Sequence, residues 1–199
     1  PQGYYRQLPK LKNSGLEGYP RIFAVARALI RFNDARIDPD RTERFVNAYQ
    51  EVHPLTMGEI WAFPTMLRLV VIETLVYGVA QILEEPVAQE LPPPVSVSEE
   101  TPAENLVANS IVALRTLAVQ DWKAFFESVN VVEQVLSSDP ARVYHHMDFD
   151  TRDQYRKVVE KLALATDRPE PAVAQESIRL AKRAPSNDGA SPRTWATNA

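Results

Sequence analysis

The stretch from Trp61 to Leu83, WAFPTMLRLVVIETLVYGVAQIL, constrains this chain more than any other. It is long and apolar enough to cross a bilayer, yet it carries Arg68 and Glu73 near its middle. Each such charge costs about 2.5–3.5 kcal/mol at the centre of a spanning helix. A buried helix of a folded domain has the same composition without that penalty, so no direct membrane span is expected. From Leu67 onward, Leu69, Val70, Ile72, Val76, Val79, Ile82 and Leu83 cover so much of the circumference that little polar face is left, which places the helix in a core or an interface. Thr56-Met57-Gly58-Glu59 matches a capping box and predicts a start near Met57. Pro64 deletes a backbone hydrogen bond and predicts a kink or break near Phe63.

The other segments also follow helical spacing. Gly15 to Pro20 is turn-rich, and Arg21–Asn33 then sets Ile22, Val25, Ala26 and Leu29 on one face. Asp38-Pro39 supplies an N-cap followed by Pro at the first helical position, opening a helix through Phe45, Val46 and Tyr49 that ends before Pro54. Residues 84–102, EEPVAQELPPPVSVSEETP, combine consecutive prolines with little apolar area and read as a linker or exposed loop. Beyond it, Ala103–Val119 offers Leu106, Ile111, Leu114 and Leu117 as a stripe. Asp121 then caps a helix over Trp122–Leu136 with Trp122, Phe125, Phe126, Val129, Val132 and Leu136 on one broad face. Asp139-Pro140 repeats the Asp-Pro device and predicts a short helix through His145. Asp150 or Thr151 caps the next, which runs through Tyr155, Val158, Val159 and Leu162, and Pro171 begins a last one to about Arg183. The tail from Ala184 is polar and turn-rich and is expected to be extended or disordered.

No alternating run bounded by hairpin residues competes with this pattern. The fold class expected is all-α, an irregular bundle of about seven or eight helices in two groups: 1–83, then the linker 84–102, then 103–184, with a flexible tail 185–199.

Composition removes several function classes. Among 199 residues, 45% are hydrophobic and 24% charged, an ordinary globular balance. The net charge of −4 gives no clustered cationic field for phosphate, so nucleic acid is not expected as a partner. With no cysteine, thiolate catalysis, disulfides and Cys-ligated zinc are excluded. The opening PQGYYRQLPKLKN lacks the features of a secretory signal, and the absence of an initiator Met suggests an excised segment.

Chemistry-bearing residues are few. His145 and His146 are adjacent, so on a helix they point about 100° apart and cannot form an i, i+4 ligand pair; with His53 they read as surface or half-buried groups, and no metal or cofactor site is expected. Glu59, Asp121 and Asp150 are explained as helix-start devices rather than catalytic acids. Glu73, Glu127, Glu133, Asp148 and Asp153 complete the carboxylate set. Glu127 and Glu133 read as solvated or salt-bridged groups, and MDFDTRDQYR at 147–156 as a charged capping network. Tyr4, Tyr5, Tyr19 and Trp61 are the candidates for sugar or partner contact, because aromatic faces stack on pyranose rings. No Gly-rich phosphate loop or nucleophile elbow is present, so no catalytic residue is assigned.

Five segments in order carry a resemblance: YYRQLPKL at 4–11, GLEGYPRIFAVA at 15–26, AYQEVHPLTMGEIWAFPTMLRLVVIE at 48–73, NSIVALRTLAVQDWKAFFESVNVVEQVL at 109–136 and MDFDTRDQYR at 147–156. Together they resemble the soluble N-terminal region of bacterial cyclic β-1,2-glucan synthases, which lies ahead of a membrane glycosyltransferase domain using UDP-glucose. The family usually has a longer helical stretch where only the Pro-rich segment stands here. The resemblance implies a noncatalytic helical module with a docking, structural or regulatory role, whose partner is the transferase domain of the same polypeptide. It also implies a place at the cytoplasmic side of the bacterial inner membrane, as a soluble part of a larger membrane protein. The alternative is an independent scaffold that binds a protein partner through the helix 67–83.

Overall fold

The computed structural model describes residues 7–12, 15–87 and 101–183. Among them are eight α-helices, one short 3-10 turn and no strand: α1 (Arg21–Phe32), α2 (Pro39–Gln50), α3 (Met57–Leu83), α4 (Ala103–Val119), α5 (Trp122–Val129), α6 (Val131–Leu136), the 3-10 turn Tyr144–His146, α7 (Phe149–Thr166) and α8 (Glu170–Arg183). The all-α architecture expected from the spacing is the one observed. The chain divides after Val131 into two compact units. A boundary along 84–102 is not what the contacts give, because α4 packs along α3 and so joins the first unit. The Pro-rich segment separates these helices in sequence only; Pro94 and the tail from Ala184 lie outside the described residues.

In the first unit α3 is the axis, with α1 and α4 packed along it and α5 contacting both α3 and α2. The capping box forms as read: the Glu59 amide donates to Thr56 Oγ1 at 3.2 Å, and the Thr56 amide donates to Glu59 Oε2 at 2.9 Å. Pro64 does not break the helix, which runs on unbroken to Leu83. Phe63, Leu67, Val70 and Val71 are almost fully buried on both sides of it. Each such side chain removed from water contributes about 1.5–3 kcal/mol, enough to outweigh one lost hydrogen bond. α3 ends on Glu84 in the left-handed region (φ 55°), its amide bonded back to Ala80 and Gln81.

The inward stripe of α4 is Ala103, Leu106, Ser110, Ala113 and Leu117, so Ile111, expected inside, is 44% exposed. Small residues at this seam let the helices approach closely. A Cβ on Gly78 of α3 would stand 3.0 Å from Val107 Cγ2.

The helix expected over Trp122–Leu136 is two. It breaks at Asn130, whose backbone is extended (φ −80°, ψ 111°), and the freed Val129 carbonyl accepts from Gln50 Nε2 of α2 at 2.8 Å. A tertiary hydrogen bond thus replaces a helical one. Asp121 does cap α5, its Oδ1 accepting from the Lys123 and Ala124 amides at 3.0 Å.

In the second unit Asp139-Pro140 makes a turn rather than a helix. The Asp139 carboxylate accepts from the amides of Ala141, Val143 and Tyr144, and those bonds, that to Val143 foremost, hold it below the usual carboxylate range. The cap of α7 is Asp148, not Asp150 or Thr151: its Oδ1 accepts from the Thr151 amide at 2.8 Å, and Asp150 stands in the first turn. The inward face of α7 is Arg156, Val159 and Ala163, which leaves Tyr155, Val158 and Leu162 about half exposed.

Candidate functional site

α3 is covered on one side only. Its inward residues include the polar Glu73 and Thr74, whereas Leu69, Ile72, Val76, Val79, Ile82 and Leu83 are 38–63% exposed. The helix, expected in a core or an interface, is thus buried along one side and leaves an apolar face on the other. Positions 69, 72, 76, 79 and 83 follow the alternating three-four spacing of a helix-packing seam. The rotation is fixed by two ion pairs from α1. Arg21 holds the fully buried Glu59 through both oxygens, Nε to Oε1 at 2.8 Å and Nη2 to Oε2 at 2.5 Å, and this bonding raises the guanidinium above its ordinary value. Arg27 faces Glu73 at 3.4 Å. Residues 59 and 73 lie near one side of a 3.6-residue helix, so pairing both with α1 turns the aliphatic side outward. Desolvation raises the Glu73 carboxyl above its ordinary range, partly countered by Arg27.

Between Leu69 and Leu83 the only charged residue is this inward Glu73. The uncharged outer face is therefore about 20 Å long at 1.5 Å per residue. α3 is one helix long and apolar enough to span a membrane by length and composition. In this fold its mid-helix charges have protein partners: Arg68 donates to the Leu117 carbonyl at 3.0 Å, and Glu73 meets Arg27.

The buried carboxylates Glu59 and Glu133 are engaged by donors. Glu133, expected to be solvated or salt-bridged, is salt-bridged and only 4% exposed, accepting from three groups: Tyr144 Oη at 2.7 Å, Arg152 Nη1 at 2.5 Å and Arg156 Nη1 at 2.6 Å. Arg156, 1% exposed, also donates to the Phe149 carbonyl at 3.3 Å and lies over the Phe149 ring at 4.7 Å. Burial first, then the bond to Glu133, pushes the Tyr144 hydroxyl up. MDFDTRDQYR is thus the charged network read from the sequence, but it closes inward on Glu133. A glycoside-cleaving pair needs two carboxyl groups facing a sugar bond, one of them a proton donor. Glu59 and Glu133 face guanidinium groups instead.

The aromatic candidates fall in separate places. Tyr4 and Tyr5 lie outside the described residues. Tyr19 stacks on Phe23 of α1 at 5.0 Å, and Trp61, 37% exposed, stacks on Phe126 of α5 at 4.3 Å. Both act as staples between segments. The rings of His145 and His146 lie 3.8 Å apart, and His53 is exposed beside Tyr49. Among the described residues no group of three or more His, Asp or Glu could hold a metal ion.

One cleft escaped the sequence reading. At the α1–α2 corner Phe32, Asn33, Asp34, Arg36, Asp38 and Arg41 line an open polar cavity of about 230 Å³. Its one visible hint was Phe32, off the inward stripe of α1 and 76% exposed. In the second unit a groove of about 530 Å³ between α7 and α8 is lined by Leu162, Thr166, Arg168, Val173, Glu176, Ser177 and Leu180.

No protein-family model matches the chain. It is 26% identical over 252 residues to the cyclic beta-(1,2)-glucan synthase NdvB of Rhizobium meliloti, a similarity covering 92% of this chain and 9% of that protein. Since 92% of 199 residues is about 183, the similar region in that protein is about 70 residues longer than its counterpart here. By sequence the chain is similar to a segment of a cyclic β-(1,2)-glucan synthase, and it spans less than a tenth of that protein's length.

Proposed function

We propose that this chain is a noncatalytic helical module of a cyclic β-1,2-glucan synthase polypeptide, and that the outer face of α3 docks it against the remainder of that polypeptide. The observation that carries this reading is the rotation of α3, which buries Glu73 and Thr74 while leaving six large aliphatic side chains in water. An apolar stripe of this length is an interaction surface rather than a stable exposed one. The occupant is another part of the same polypeptide, because the relative is about fourteen times as long as this chain and has additional residues within the similar region. The transferase domain at the cytoplasmic side of the inner membrane is the partner that the resemblance suggests. The carboxylates at Glu59 and Glu133, held by Arg21, Arg152 and Arg156, support a scaffold rather than an acid–base centre.

The test has two arms. Purified chain incubated with UDP-glucose and Mg²⁺ is expected to transfer no glucose. Titration with the transferase domain is expected to give binding that Ile72→Glu with Val79→Glu abolishes. Glucosyl transfer by the isolated chain, or binding indifferent to those two substitutions, overturns the proposal.

A further inference from the structure

We propose that the cleft at the α1–α2 corner binds a sugar unit of a neutral glucan chain, an inference that rests on the glucan-synthase reading above for its ligand class. The corner is built rather than loose. Asp34 (φ 48°) and Ala35 (φ 61°) both occupy the left-handed region, a conformation that residues other than glycine adopt only when their surroundings hold them there. It is held by the fully buried Ala35 methyl, by the Ala35 amide donating to Ile30 O at 3.0 Å, and by the Arg36 amide donating to Asn33 O at 2.8 Å. Asn109 of α4 clamps it further, its Nδ2 donating to Asp34 O at 2.9 Å. A pinned loop presents its side chains without the ordering cost that weakens binding.

The side chains around the cavity fit a polyol. Phe32 gives an exposed ring at the rim, the kind of face on which the C–H side of a pyranose stacks. The carboxylate of Asp34 and the guanidinium groups of Arg36 and Arg41 make no side-chain hydrogen bond or ion pair within the described residues, so acceptor and donor forks both remain for hydroxyl groups. Asp38 is partly committed, its Oδ1 accepting from the Arg41 amide at 2.8 Å, and Asn33 Nδ2 donates to Leu29 O at 3.2 Å. Charge selects among ligands: two Arg face two Asp, so a phosphate would meet as many like charges as opposite ones. A neutral molecule with adjacent hydroxyls uses both signs. The volume of about 230 Å³ is below the usual range for drug-sized ligands and suits one sugar unit with the chain continuing into solvent.

The experiment is calorimetric titration of the full chain with a linear β-1,2-glucan oligosaccharide, with inorganic phosphate as a parallel probe. Binding is expected for the glucan, with affinity unchanged between low and high salt. Phe32→Ala and Arg36→Ala are each expected to weaken it about tenfold, the size of one lost stack or one charged hydrogen bond. Both positions are exposed, so the urea midpoint of each variant should match the parent. No glucan binding, variants that bind as the parent does, or phosphate bound in place of glucan overturns the site. The α3 docking assay uses residues remote in sequence from this corner. Loss of sugar binding with docking intact rejects the cleft alone, whereas loss of docking rejects the module reading.

Discussion

Replacing Arg156 by Met removes a cation that is 1% exposed and bonded to Glu133 at 2.6 Å, to the Phe149 carbonyl at 3.3 Å and, as an ion pair at 3.5 Å, to Asp153. Breaking a buried ion pair from one side costs about 3–5 kcal/mol, because the remaining charge keeps its desolvation without its partner. Glu133 would retain Arg152 at 2.5 Å and the Tyr144 hydroxyl at 2.7 Å, which places the expected loss at the lower end, about 3 kcal/mol. Glu133→Gln strands two guanidinium groups instead of one carboxylate and should cost a similar amount. If the two residues act as one unit, the double variant loses less than the sum of the singles by about 1–3 kcal/mol. Hydrogen exchange of the α7 amides under native conditions reads this unit directly, and urea unfolding gives the global figure. Single losses below about 1 kcal/mol, or losses that simply add, would refute the claim that this network organises the second unit.

Two further expectations concern the first unit. Glu73 has a raised carboxyl in the folded state, so the fold binds its proton more tightly than the unfolded chain does. Stability then falls as pH rises from the model-peptide value near 4.5 through the folded value. Glu73→Gln should raise the melting temperature at pH 7, with the gain vanishing near pH 4; a lower melting temperature at pH 7 would contradict the sign. At Gly78, alanine would add about 1 kcal/mol of helix propensity, but its Cβ would meet the branched Val107 at 3.0 Å. Overpacking against a stiff side chain costs about 1–3 kcal/mol, so Gly78→Ala should lower stability by about 1 kcal/mol in urea titration. A stabilised variant would mean the α3–α4 seam is looser than described.

What the sequence made legible was mostly local. Asp38-Pro39, Thr56 with Glu59, and Asp121 each satisfy backbone amides within three residues, so their pattern carries the whole explanation. The rotation of α3 was not readable, since a helix apolar nearly all round has no preferred side until Arg21 and Arg27 select one from far along the chain. The break at Asn130 depends on Gln50, about eighty residues earlier. On α7 the pairing of Arg156 with Glu133 turns a charged residue inward and leaves Tyr155, Val158 and Leu162 toward water, a rotation set by a residue on another element. The cleft at Phe32 joins the end of one helix to the start of the next, where helical periodicity stops being informative.

The charged centre of the second unit also bears on its response to temperature. From Val132 onward, the buried apolar residues are Val132, Leu136, Tyr144, Val159, Ala163 and Ala174, and Arg156 and Glu133 are buried with them. Unfolding raises heat capacity through apolar surface, about +0.45 cal/K/mol per Å², and lowers it through polar surface, about −0.26. A core in which an ion pair takes the place of several aliphatic side chains therefore unfolds with a small heat-capacity increment. The curvature of its stability with temperature should therefore be small, with little weakening on cooling.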